Sequence, residues 1–353
     1  MRLVDVEYGL EVFFFPLIVA KMSDAQDFER RLSAVVAKIY DGKAELNSAE
    51  QLSGGASQET WLLKLAGSLV PDSIILRRAP EGATATSELN PIGLAREAEV
   101  IALASDADVP VPKVLRVLTP TDGLGEGFFM SRITGETIAR RILRDDQYAT
   151  ARAVLPEQCG MALARIHSVK GASDCGLEES SGLDQLRRYD ETYRSTGICR
   201  PIFDLAVAWL EDHAPSPLKP ALVHGDFRLG NIMVDEQGLA SVLDWELSHI
   251  GDPREDIAWL CVNSWRFGQS ENRVGGFGQL EDLLDAYEQA GGQAFQPTDI
   301  DWWEILGSLK WGIMCMMMYE SFRSGADPSV ERAAIGRRVS ETEIDLINLL
   351  ERQ

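Results

Sequence analysis

The sequence predicts an α+β fold in two unequal parts, with short strands up to about residue 131 and mainly helices beyond it. Three patterns carry that expectation. Trp61-Leu62-Leu63-Lys64-Leu65, Ser73-Ile74-Ile75-Leu76-Arg77-Arg78 and Gly127-Phe128-Phe129-Met130-Ser131-Arg132-Ile133 are short apolar runs of strand type. In the carboxy-terminal part, apolar residues recur mostly at helical spacing, as in Gly160-Met161-Ala162-Leu163-Ala164-Arg165-Ile166-His167. Asn231-Ile232-Met233-Val234 and Leu239-Ala240-Ser241-Val242-Leu243 flank Asp235-Glu236-Gln237-Gly238, which is the composition of a tight hairpin. At 353 residues and 45% hydrophobic content, the chain has the apolar mass for two domains or one large bilobal unit. The expected divisions are an extension over 1–22, a smaller part over 23–131 and a larger one over 132–353.

The elements follow in order. Gly9 to Ala20 is apolar, but acids precede it and only Arg2 is basic, so the positive start and cleavage site of a secretory signal are missing. The stretch reads equally as an upstream extension of the reading frame before Met22, or as a strand or arm used in packing. Asp27 to Ile39 is amphipathic and begins the fold as a helix. Leu52 to Trp61 is a Gly/Ser turn that feeds a strand. Leu94 to Leu103 is helical, with Glu97 and Ile101 four apart on the side that faces the sheet. Val109-Pro110-Val111-Pro112 opens an extended segment, because residues before proline avoid the helical region. Gln279 to Gly291 is a helix stopped at Gly291-Gly292. Thr298-Asp299 caps a long helix through Trp303, Leu306, Leu309, Ile313 and Met317; its methionines 314, 316, 317 and 318 read as core, with the lining of a flexible substrate pocket as the alternative.

The chemistry concentrates in Leu222-Val223-His224-Gly225-Asp226-Phe227-Arg228-Leu229-Gly230-Asn231 and in Val242-Leu243-Asp244-Trp245-Glu246. A strand delivers Asp226 onto a turn, and the hairpin returns the chain so that Asn231 and Asp244 can share one ion. Phosphoryl transfer from ATP needs a carboxylate to orient and deprotonate the attacking hydroxyl, and oxygen ligands for Mg²⁺. Asp226 suits the first task and Asn231 with Asp244 the second, since Mg²⁺ takes one or two carboxylates with phosphates and water. Arg228 is placed to set its guanidinium on the transferred phosphate.

These residues resemble the aminoglycoside phosphotransferase and choline kinase superfamily, which carries HGDxxxxN where protein kinases carry HRDxxxxN. The wording His-Gly-Asp-Phe-Arg-Leu-Gly-Asn, then Leu-Asp-Trp-Glu, then Gly251-Asp252-Pro253-Arg254-Glu255-Asp256-Ile257-Ala258, resembles most the branch that includes kinase domains fused to some acyl-CoA dehydrogenases. The likeness covers about residues 45 to 345. It implies a bilobal protein-kinase-like fold, with a small β-rich lobe that binds nucleotide and a larger helical lobe that holds the catalytic loop, metal and substrate. It also implies Asp226 as catalytic base, Asn231 and Asp244 as metal ligands, and His224 as a scaffold that braces the loop. Ser53 and Ser57, in Ser-Gly-Gly-Ala-Ser, would then contact phosphate. Arg77 stands where the kinase scheme has a Lys, with Glu97 as its helix partner and Glu99 as the rival; arginine keeps the charge but not the geometry. Met130, Ser131 and Arg132 would form the hinge that meets adenine through the backbone. Residues 170–200 would form a mobile insertion on the substrate side.

Composition excludes other classes. A net charge of −21 repels nucleic acid, so no such partner is expected. The acid excess has similar density in both parts and marks no acidic substrate site. No run of eighteen uncharged apolar residues exists to span a membrane. Five scattered cysteines without ligand spacing point to free thiols in the cytoplasm. The expectation is an ATP- and Mg²⁺-dependent enzyme that phosphorylates a hydroxyl of a small molecule, with a hydroxyacyl-CoA or related metabolite suggested by the branch. A true aminoglycoside kinase is one rival. A nucleotide-binding pseudokinase or regulator is another, motivated by Arg77 and opposed by the complete Asp226, Asn231 and Asp244 set.

Overall fold

The computed structural model describes residues 14–52, 58–80 and 91–353, of which 14–25 are described as backbone only. The described residues fall into two compact units. One takes in the described part of Met1–Glu88 with Gly93–Ala98 and Val114–Arg132. The other takes in the described part of Leu89–Ile92 with Glu99–Lys113 and Ile133–Gln353. Ser53 and Ser57 lie outside the described residues.

The first unit begins with α1 (Phe14–Ile39), followed by β1 (Ala44–Leu52), β2 (Glu59–Gly67) and β3 (Ser73–Arg78). Next come α2 (Leu94–Asp106), which the division cuts, and then β4 (Val114–Val117) and β5 (Gly127–Ser131). The strands form one antiparallel sheet in the order β1-β2-β3-β5-β4. Leu32, Val35 and Val36 of α1 pack on Leu63, Leu65, Ile74, Leu76 and Phe129 of the sheet, burying the apolar face of the helix. Helix already starts at Phe14, so residues 14–22 are not a strand. Pro16 is compatible with this because it lies in the first turn, where a helix has no use for its missing N–H.

The second unit opens with α3 (Ala139–Arg144), α4 (Ala149–His167), α5 (Gly182–Ser195) and α6 (Pro201–Asp212). Residues 170–200 therefore hold a helix, which Ser181 caps by accepting from the Asp184 N–H at 3.2 Å. Four short strands follow: β6 (Ala221–Val223), β7 (Ile232–Asp235), β8 (Gly238–Val242) and β9 (His249–Gly251). β6 pairs with β9 and β7 with β8, both antiparallel. The helices α7 (Arg254–Cys261), α8 (Leu280–Gln289), α9 (Pro297–Ser324), α10 (Val330–Gly336) and α11 (Val339–Leu350) complete the chain. α9 is buried along Ile300 to Ile313 and is the spine of this unit. Of its methionines only Met316 is buried, while Met317 is 43% exposed, so that run is core on one face alone. Among the described residues no helix is long and apolar enough to cross a membrane, and all five cysteines are free thiols.

Candidate active site

β6 runs into a turn whose second residue only glycine can be. Gly225 has φ +83°, and a Cβ there would lie 2.5 Å from the main-chain oxygen of Leu247. His224, fully buried, precedes it. Its Nε2 lies 3.0 Å from the Leu243 carbonyl and must donate, while its Nδ1 accepts the Asp226 N–H at 3.2 Å. Those partners fix the neutral tautomer, and burial lowers the ring's pKa below its usual value. The imidazole is a brace between Asp226 and Leu243.

The turn presents the Asp226 carboxylate to three donors. Oδ1 accepts from Arg228 Nε at 2.9 Å and from Trp259 Nε1 at 2.6 Å. Oδ2 accepts from Asn231 Nδ2, which also donates to the Asp226 main-chain carbonyl at 3.0 Å. Arg228 is thus the ion-pair partner of Asp226, and its guanidinium lies 4.4 Å over the Trp265 ring.

Asn231 and Asp244 flank the β7–β8 hairpin at its open end, Asn231 just before β7 and Asp244 just after β8. The Leu243 N–H donates to the Asn231 carbonyl at 2.7 Å, which places Asp244 one residue beyond the bond that closes the hairpin. At the other end lies the expected tight turn, where Asp235 Oδ1 accepts from the N–H groups of Gln237 and Gly238. Asp244 itself has φ +66°, a left-handed backbone that Asp tolerates better than most residues. Among the described residues no three His, Cys, Asp or Glu side chains form a ready-made cage for a metal. A carboxylate with an amide oxygen is the sparse donor set that Mg²⁺ uses when phosphates and water complete its shell.

α7 carries Asp256, part of the Gly251–Ala258 wording that read as structural, and Trp259, which the sequence reading did not single out. Asp256, fully buried, accepts the His224 N–H at 2.8 Å and the Gly225 N–H at 2.9 Å, clamping the turn before Asp226. His167 Nε2 lies 3.3 Å from the same carboxylate and its Nδ1 accepts from Tyr287, as suits a hydrogen-bonded packing residue. Trp259 follows Asp256 by three residues on the same helix face. Its ring lies 4.8 Å under the Lys310 ammonium, which is itself 3.7 Å from Glu255. Burial works against the charge on Lys310, but neighbouring groups, Tyr189 and Glu255 foremost, leave its pKa raised. Burial would push the Glu255 carboxyl up, yet His249, Lys310 and Gln185 hold it down at about 2.

In the first unit, Arg77 Nε lies 3.4 Å from Glu97 Oε1 and also donates to Gln58. Glu97 is buried and Glu99 exposed, so of the two it is Glu97 that faces the arginine. Met130 and Ser131 end β5, paired with Ile75 and Ile74. Arg132 donates to Ser73 Oγ at 3.3 Å and closes the unit.

A five-stranded antiparallel sheet with a strand cation paired to a helix carboxylate, followed by a helical unit with an Asp-turn and an Asn/Asp hairpin, is a protein-kinase-like phosphotransferase fold. The chain belongs to the phosphotransferase enzyme family (APH), whose model matches residues 48–297. It is similar to the mouse protein acyl-CoA dehydrogenase family member 10, at 28% identity over 249 residues, covering 68% of this chain and 22% of that protein. The chain thus spans about a fifth of the length of that relative. It also resembles a solved Ralstonia eutropha protein provisionally assigned as an aminoglycoside phosphotransferase. The TM-score is 0.69 at 20% identity, covering 92% of this chain and 98% of that one. A spectinomycin phosphotransferase in complex with ADP and spectinomycin matches with a TM-score of 0.59 at 12% identity, covering 86% of this chain and 94% of that one. At these identities the solved structures establish the fold alone.

Proposed function

We propose that the enzyme transfers the γ-phosphoryl group of ATP, as its Mg²⁺ complex, to a hydroxyl of a small molecule, with Asp226 as the base. The observation that carries this reading is the Asp226 carboxylate, held by three donors beside the hairpin that joins Asn231 to Asp244. Asp226 orients the acceptor hydroxyl and takes its proton as the oxygen attacks phosphorus and the bond to the departing ADP breaks. Asn231, through the amide oxygen left when its nitrogen serves Asp226, and Asp244 would hold Mg²⁺, which when bound neutralises phosphate charge. Arg228 keeps the carboxylate in place and adds positive charge where the transferred group arrives. Arg77, fixed by Glu97, would grip the nucleotide phosphates together with Ser53 and Ser57. The backbone of Met130, Ser131 and Arg132 would meet the base.

The solved spectinomycin phosphotransferase, in complex with ADP and spectinomycin, supports a nucleotide and a small-molecule acceptor. The name of the mouse relative, an acyl-CoA dehydrogenase family member, puts hydroxylated acyl-CoAs among the acceptors to test. ADP release from Mg·ATP over a panel of hydroxylated acyl-CoAs, sugars and aminoglycosides tests the proposal. One acceptor class should stimulate release, and Asp226→Asn should abolish it while leaving nucleotide binding intact. Full turnover in Asp226→Asn would overturn the assignment.

A further inference from the structure

An ionised carboxylate offers about four lone-pair positions. At Asp226, Arg228 Nε and Trp259 Nε1 occupy both on Oδ1, and Asn231 Nδ2 occupies one on Oδ2. The remaining position, on Oδ2, is the one an acceptor hydroxyl can use. Arg228 and Asn231 already have tasks in the proposed chemistry; Trp259 has none. Its donation differs from that of other buried indoles here. Trp245 and Trp302 give their N–H groups to main-chain carbonyls, at 3.3 and 3.0 Å, whereas Trp259 gives its own to the reactive carboxylate at 2.6 Å.

The indole is also held from several sides. α7 is clamped to the catalytic turn through Asp256, three residues earlier. Trp265 packs against the ring at 5.4 Å between centroids, and the Lys310 ammonium lies over its face. A cation on the face of an indole draws electron density from the ring and makes its N–H a better donor. We propose that Trp259 is a positioning residue for phosphoryl transfer, its N–H fixing Oδ1 so that Oδ2 is the oxygen presented to the acceptor. This rests on Asp226 being the base.

The direct test replaces Trp259 by β-(3-benzothienyl)alanine through codon suppression, which keeps the shape of the ring and substitutes sulfur for N–H. Trp259→Phe provides a second variant. The probe is hydrolysis of Mg·ATP, with water as the acceptor. Loss of one hydrogen bond to a charged group should lower kcat about tenfold or more, with the KM for ATP unchanged. An unchanged kcat in that variant overturns the inference. So does a fall in kcat accompanied by a matching rise in KM, because that is a packing role. Asp226→Asn runs alongside. If it retains hydrolysis, the base assignment itself fails; if it is inactive while the benzothienyl variant is fully active, only the role of Trp259 fails.

Discussion

Replacing Asp256 by alanine should strand three buried donors at once. Its carboxylate accepts the N–H groups of His224 and Gly225 at 2.8 and 2.9 Å and faces His167 Nε2 at 3.3 Å, and the residue is wholly buried. A buried donor left without an acceptor costs about 1–3 kcal/mol, so three cost at least about 3 kcal/mol before any cavity is counted. Against a typical net stability of about 5–15 kcal/mol, that is a large share. Guanidinium titration followed by tryptophan fluorescence reads the loss as a lower midpoint at an unchanged slope. Asp256→Asn keeps one acceptor oxygen and should lose roughly half as much. The same clamp sets the turn that carries Asp226, so turnover should fall in both variants. An Asp256→Ala protein within about 1 kcal/mol of the parent would refute the clamp, since the orphaned N–H groups would then have found other partners.

Gly225→Ala should lose about 2 kcal/mol or more, because its Cβ meets the Leu247 main-chain oxygen at 2.5 Å and φ is +83°. A melting curve that matches the parent would contradict this. His249 and Glu255 make stability depend on pH from both sides. Burial opposes the charge on His249, but Glu255 at 3.0 Å and the Leu247 carbonyl outweigh it and raise its pKa. Its contribution is therefore complete below about pH 6.5 and is lost as pH rises through the raised value. Glu255, held at about 2, contributes above its unfolded value near about 4.3 and loses that contribution as pH falls toward 2. The stability gap between the parent and His249→Gln should thus be widest at about pH 5–6 and shrink toward pH 8. A gap that is flat over that range would show that the pair does not titrate as described.

What the sequence revealed and what it hid follow from the range of the interactions. The hairpin from Asn231 to Asp244 was legible because its strands, its Asp235 turn and its Gly238 are neighbours along the chain. The β3 strand was legible to the residue, Ser73–Arg78, because a short apolar run bounded by polar residues is a local signal. The α5 cap, Ser181 with Asp184, was also written locally and was overlooked within a polar, glycine-containing stretch. The brace behind the site was hidden for a different reason. Asp256 reaches the main chain at His224 and Gly225, and Trp259 reaches Asp226, across about thirty residues of sequence. Their three-residue spacing marked one helix face but not what that face meets. Lys310 lies farther still along the chain, and only the tertiary fold brings it over Trp259. Arg228 was expected to set its guanidinium on the transferred phosphate; its ion pair with Asp226 and its stacking on Trp265, a residue 37 positions away, leave no trace in the motif.

The central claim is that Asn231 and Asp244 form the metal-binding half of a phosphoryl-transfer site that Asp226 completes. Calorimetric titration with AMP-PNP, with and without Mg²⁺, on the parent, Asp244→Asn and Asp226→Asn proteins tests it most directly. The account predicts Mg²⁺-dependent binding to the parent and to Asp226→Asn, and loss of that dependence in Asp244→Asn. Equal Mg²⁺-dependent affinity in Asp244→Asn and the parent would contradict it.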